Sequence, residues 1–196
     1  MVKIILKAWS ICTVVLILSQ TVLSAEDGYI VSSQNSAIVC SVKYSLIGKY
    51  TARFKDFSGL VYFDPKNLSK SSVYLKIKVV SLESKYATLD RMAKSKRLWD
   101  ASIYPEAIFQ SQRIELKDDK YYVTGILKLH GVERQITFPF TLDGPRVEGK
   151  KKYVTARGIW LIDRKKFNIL WHKYLDKGGV VVGNQITLNW KIKAFK

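Results

Sequence analysis

The stretch Ile126-Leu-Lys-Leu-His-Gly-Val-Glu-Arg-Gln-Ile-Thr-Phe-Pro-Phe140 consists of two runs of alternating apolar and polar residues that meet at His130-Gly131. A period of two puts one set of side chains on each face of an extended strand. A short corner containing glycine makes two such runs antiparallel neighbours. Working outward, nearly every segment alternates in the same way. Val73, Leu75, Ile77 and Val79 form the cleanest series, with Lys76 and Lys78 between them, and Ile38, Cys40, Val42 and Tyr44 share one parity. Val61 and Phe63 end at an Asp64-Pro65 turn, and residues 107–116 pass through Asp118-Asp119 into residues 121–129. Residues 132–142 are expected to stop at Asp143-Gly144-Pro145, and residues 29–33, 153–162 and 180–194 complete the set. The total is about eight to ten strands, which suits a closed antiparallel barrel or a sandwich.

One segment departs from this period. Residues 87–99 contain no Gly or Pro, and Leu89, Met92, Ala93 and Trp99 recur at helical spacing. Ser84 or Thr88 is available as the N-cap. The reading is one short amphipathic helix, with Met92 and Trp99 packed over an end of the barrel.

The first 25 residues read as a targeting segment. Lys3 and Lys7 form a basic start, residues 8–18 are apolar except for Ser10 and Thr13, and the small residues Ser24 and Ala25 follow. This is the pattern of a secretory signal peptide. Cleavage is expected after Ala25, with Ser24 as the other boundary and an uncleaved N-terminal anchor as the alternative. The remainder, residues 26–196, forms one domain large enough for a substantial core. Cleavage removes Cys12 and leaves Cys40 without an intramolecular partner, so a buried, inert thiol is expected. An exported location, periplasmic or secreted, follows from the leader.

The chain carries a formal net charge of +17. Its lysines are scattered along strands rather than gathered in an arm, and export argues against nucleic acid as the partner. A transient attraction to anionic membrane surfaces is the functional reading of this charge. Lys150-Lys151-Lys152 reads as a solvated turn.

The order of these elements and their local sequences resembles the YceI-like family of lipid- and polyisoprenoid-binding proteins. Phe54-Lys-Asp-Phe-Ser-Gly59 with Val61-Tyr-Phe-Asp64 matches the family's second hairpin. Ser81, Asp90, Ser95, Trp99-Asp100 and Tyr104-Pro105, followed by Phe109 and Ser111, match its helix-and-loop segment. Gly125-Ile-Leu-Lys-Leu-His-Gly-Val132 is the most specific match, and Arg164 with Phe167 fits a late Arg-x-x-Phe element. The resemblance covers about residues 28–195. It implies an all-β fold: an eight-stranded antiparallel lipocalin-like barrel, with the short helix at 87–99 in a loop. An elongated apolar channel would hold isoprenoid, quinone or fatty-acyl chains. The chain departs from the family at Tyr44, Ala52, Leu89, Met92, Arg97, Gln135 and Asn168, so the ligand itself does not carry over. Tyr44 and Met92 would keep the channel mouth apolar and adaptable.

Alternation and the matched segments together place Ile38, Val42, Tyr44, Val61, Phe63, Leu75, Ile77, Phe109, Leu127, Leu129, Trp160, Ile186 and Trp190 inside the barrel as the ligand-binding set. Met92 joins them at the mouth and His172 at the channel rim. No cofactor is expected beyond an apolar ligand, and the protein is read as a monomer or homodimer. An enzyme reading finds no nucleophile elbow, P-loop, zinc-protease or dinucleotide motif, and Gly178-Gly179 with Gly183 has the wrong spacing for the last. His130 and His172 are too few for a metal site. His130, at its corner, is expected to satisfy local backbone groups. Periodicity tells which parity faces inward. It does not tell whether the interior is empty, so a filled barrel serving as an envelope adaptor and an auxiliary enzyme acting on quinone or isoprenoid are the rival readings.

Overall fold

The structure is a computed structural model that describes residues 28–44, 48–170 and 182–196. The expected His130-Gly131 corner is a two-residue hairpin between β8 (Lys120–Leu129) and β9 (Val132–Glu148), closed by the pair Leu129↔Val132. Both corner residues have positive φ, 51° and 74°. This turn geometry matches the right-handed twist of the strands it joins. Asp118 and Asp119 make the same kind of corner, at 49° and 58°, between β7 (Glu106–Lys117) and β8. Aspartate tolerates that region better than most residues.

Every ladder is antiparallel. β1 (Tyr29–Ser32) and β2 (Ala37–Tyr44) lie end to end along β11 (Val182–Phe195) and act as one bent strand. β3 (Gly48–Phe54) and β4 (Phe57–Tyr62) make the next bent strand, pairing with β2 and β1 respectively. The ring continues through β5 (Ser72–Lys78), β7, β8, β9 and β10 (Lys151–Asp163) to β11, and so closes an eight-stranded barrel. The short β6 (Leu82–Glu83) adds to β3 outside the ring.

The upper end of the barrel carries the His130-Gly131 corner and α1 (Ala87–Lys94); the lower end carries the Asp118-Asp119 corner. α1 is shorter than the expected 87–99; it begins at Ala87, with Tyr86 rather than Ser84 or Thr88 at the N-cap and no side-chain cap bond. Ser84 is committed elsewhere: its hydroxyl accepts from the Tyr86 N–H at 3.0 Å and donates to Asp90 Oδ1 at 2.6 Å. Ser95 ends the helix, donating its hydroxyl to the Met92 carbonyl. β9 runs through Asp143-Gly144-Pro145 instead of stopping there. Gly144 takes φ 112°, the ladder shifts register opposite Tyr153 and Thr155, and pairing then resumes at Arg146↔Tyr153. The lysine run divides, with Lys150 in the turn and Lys151 and Lys152 on β10, all exposed.

Candidate functional site

Inward-facing side chains enclose an apolar cavity of about 140 Å³ in the middle and lower part of the barrel. All eight strands of the ring contribute to it: Val31 and Ile38, Val61, Leu75 and Ile77, Phe109 and Ile114, Val123 and Leu127, Phe138 and Leu142, Val154 and Trp160, and Leu188 and Trp190 among others. The polar atoms these lining side chains carry are the Tyr62 hydroxyl and the indole N–H groups of Trp160 and Trp190. An aromatic group stands across the lumen: Phe138 stacks on Trp160 with ring centroids 5.4 Å apart, meets Trp190 edge-on at 6.0 Å and packs against Phe109 at 5.5 Å.

Nine of the residues read from sequence as ligand-binding meet here: Ile38, Val61, Phe63, Leu75, Ile77, Phe109, Leu127, Trp160 and Trp190. Val42, Tyr44, Leu129 and Ile186 share the inward parity but lie above the cavity and do not line it. The register explains their height. Ile186 pairs with Val42, Val182 with Tyr44, and Leu129 closes the upper hairpin. Met92 is half-buried on α1 and does not line the cavity either. His172 lies outside the described residues. The sequence reading missed Ile136, Phe140 and Leu142 on β9 and Leu188, Ile192 and Ala194 on β11, all of which line the cavity. The signal was present, because each group continues an alternation that already contained a chosen residue or its hairpin partner.

The upper end is filled. Asp90, 5% exposed, accepts from Tyr50 Oη at 2.7 Å and from the Ser84 hydroxyl and backbone N–H at 2.6 and 2.9 Å. Burial alone raises its pKa, but these hydrogen bonds, together with nearby Lys94, hold the carboxyl below its ordinary value. Tyr50 is pushed well above the usual phenol range by burial and by the bond to Asp90. Beside them Cys40 is buried, as expected, and burial pushes its thiol up to about 12. Trp99 packs edge-on against Phe54 at 6.2 Å. The inward faces of β2 and β3 at this level therefore meet α1 and its loop instead of empty space.

His130 does not serve local backbone groups. Its Nδ1 lies 3.1 Å from the carbonyl oxygen of Phe167, and its ring tilts against Tyr104 at 4.2 Å. Burial lowers its pKa, only partly offset by the Phe167 carbonyl and Asp100. A carbonyl only accepts, so Nδ1–H donates this bond and the neutral ring carries its proton on Nδ1. Arg164, 4% exposed, donates to the carbonyls of Gly183, Ile169 and Val182 at 2.8, 2.6 and 3.1 Å, tying the turn after β10 to the start of β11. Among the described residues no group of three or more His, Cys, Asp or Glu side chains could hold a metal ion.

Compared with known proteins, the chain matches the model of the YceI-like domain over residues 29–194. The chain belongs to the YceI-like family. It is 30% identical over 148 residues to a UPF0312 protein of Photorhabdus laumondii, a match covering 68% of this chain and 76% of that protein. It is 33% identical over 119 residues to Protein YceI of Salmonella arizonae, where the match spans 59% of this chain and 61% of the relative's length. Among solved structures, BcnA of Burkholderia cenocepacia superposes with a TM-score of 0.72 at 27% identity, covering 84% of this chain and 99% of that one. A polyisoprenoid binding domain from Saccharophagus degradans, implicated in plant cell wall breakdown, shares the fold with a TM-score of 0.64 at 14% identity, covering 86% and 97% of the two chains. In this YceI-like barrel Leu127, within the stretch 125–132, lines the apolar cavity.

Proposed function

We propose that the protein binds one long-chain apolar molecule, of polyisoprenoid, quinone or fatty-acyl type, inside the barrel and sequesters or carries it. The observation behind this reading is the cavity, to which every strand of the ring presents apolar side chains. The description of the Saccharophagus neighbour as a polyisoprenoid binding domain lends support. Size constrains how such binding works. A cavity of about 140 Å³ is close to the engineered apolar cavities that accept benzene, and smaller than the roughly 300–1,000 Å³ of ordinary ligand sites. About five methylenes fill it, and at roughly 0.8 kcal/mol each they supply about 4 kcal/mol, a millimolar affinity before ordering costs. Tighter binding needs more chain inside, so Phe138, Trp160 and Trp190 must turn aside as it enters.

Catalysis is not part of this reading. His130, the histidine among the described residues, is engaged with Phe167 and Tyr104 and lies outside the cavity lining. The leader reading makes the protein an exported, periplasmic carrier whose exposed lysines favour transient contact with anionic membrane surfaces. N-terminal sequencing of the exported protein is expected to start within about two residues of Glu26; a retained Met1 would make it membrane-anchored. Native mass spectrometry of freshly purified protein, followed by organic extraction, tests the carrier itself. A co-purified chain lipid is expected. A protein that neither holds nor takes up any such lipid would be a filled barrel used as an envelope adaptor.

A further inference from the structure

The wall of the barrel is not hydrogen-bonded all the way round. The ladder between β9 and β10 ends at Thr141↔Arg157. Above it β9 stays paired with β8 up to Val132↔Leu129, and β10 with β11 up to Asp163↔Gln185. Among the described residues, 132–140 and 158–163 therefore face each other as two strand edges with no backbone pairing between them. Pro139, just past the last pair, has no N–H to extend the ladder. There the strands are held by the Phe138–Trp160 stack instead.

An outer cleft of about 700 Å³ opens over this seam. Ile136 and Trp160 line both the cleft and the interior cavity, so the wall between them is one layer of side chains thick. The opening has a fixed frame. Below it is the regular ladder; above it Arg134 Nε donates to the Lys166 carbonyl at 2.5 Å and His130 holds the Phe167 carbonyl. Its outer rim mixes Gln135 and Thr137 with the apolar Leu161, which is 56% exposed, and Ile159 follows along the same face at 61%. An unpaired edge is a liability that closed barrels normally abolish. Here two edges remain beside an apolar interior, while the end of the barrel under α1 is filled by the Tyr50–Asp90–Ser84 group.

We propose that this window is a lateral portal, through which a single-chain amphiphile slides its apolar tail between β9 and β10 and leaves its hydrogen-bonding head in the cleft. The inference rests on the carrier reading above and adds the route and the class of ligand. Side chains that line both compartments move aside for the tail. The backbone groups of the two edges are the donors and acceptors for the head; Gln135 Nε2 already donates to Gln112 Oε1 and the Thr137 hydroxyl is paired with that of Thr124, so these side chains add only their remaining capacity.

Continuing the register beyond Thr141↔Arg157 sets Thr137 opposite Leu161, both exposed. The test is the purified protein carrying Thr137→Cys and Leu161→Cys, compared before and after bridging by a short bis-maleimide. Buried Cys40 remains untouched by the reagent. The readout is the rate of uptake of a fluorescent fatty-acyl probe. Bridging is expected to slow uptake at least tenfold without lowering the thermal midpoint. Thr137→Trp, which narrows the mouth without cross-linking, is expected to slow uptake more than it weakens equilibrium binding. Unchanged uptake rates in both variants, with normal binding by the parent, would overturn the portal and leave the carrier reading standing. A parent protein that takes up no probe would overturn both.

Discussion

His130 sits in a left-handed backbone position at a hairpin corner, yet its ring reaches a carbonyl in the turn after β10. Gly131 beside it has no room for a side chain, because a Cβ there would come within 2.7 Å of the Tyr104 ring. The corner thus clamps Tyr104 and Phe167 together. Because burial lowers the folded-state pKa of His130 below its usual 6.5, the unfolded chain binds the proton more readily. This contribution to stability is therefore complete above about pH 6.5 and lost as pH falls through the folded-state value. Urea titrations from pH 8 to 5 are expected to show stability falling on the acid side, with a smaller fall in His130→Ala. The same variant is expected to bind an acyl probe within a few fold of the parent; abolished turnover of a quinone or isoprenoid in an intact fold would contradict the carrier reading. The sequence marked His130 as a corner residue, but its partner lies 37 positions away. A contact of that range leaves no local signal.

At the scale of elements, α1 is held by one carboxylate more than by its own capping. Asp90→Ala would leave the Tyr50 hydroxyl and the Ser84 N–H without their acceptor. A loss of about 3 kcal/mol is expected, read as a drop of roughly 2–4 °C in thermal midpoint per kcal/mol. Asp90→Asn, which keeps an acceptor oxygen, is expected to lose less. Strand identity and facing were legible from alternation: Leu75 and Ile77 on β5 and Leu127 on β8 line the cavity, although Val73 and Val123 on the same strands were not chosen and Leu129 lies above it. Height along the barrel axis was not. Ile38 and Val42 have one parity, but Ile38 lines the cavity whereas Val42 sits level with Tyr50 beneath α1. The residues that fill this level come from a helix and loop some 40 positions away, and period-two reasoning on β2 contains no trace of them. The continuation of β9 through Gly144-Pro145 was hidden for a different reason. Both residues are turn formers, and the bulge that absorbs them shows only against the facing strand β10, where Val154 alone stands opposite the two.

For the molecule as a whole, the distinction that matters is between a lumen with space and one filled by side chains. Leu127 lines the cavity, and its neighbour Lys128 faces out to pair with Glu133 at 3.3 Å. Leu127→Trp is expected to abolish acyl-probe binding while costing under about 1 kcal/mol, because its bulk enters existing space. In a filled core the same change overpacks and typically costs about 1–3 kcal/mol. Lys128→Trp is expected to leave binding unchanged. Thermal midpoints and probe titrations of the two variants check this together.

The way the ring closes also bears on how the chain acquires its shape. β3 pairs with β2, and from β5 to β11 each strand of the ring pairs with the ring strand before it, so those ladders are short-range; β4 reaches back only as far as β1. The seam of β11 against β1 and β2 is different: Trp190 meets Ile38, and Phe195 meets Ile30, across most of the chain. Such a contact carries the largest loop-closure cost in the fold and comes late. Until β11 docks, β2 and β10 each lack a neighbour and the future lumen is an open, curved sheet with its apolar face uncovered. The interior comes into being as an enclosed space in a single late event, and a folding chain is most prone to misassociation just before it.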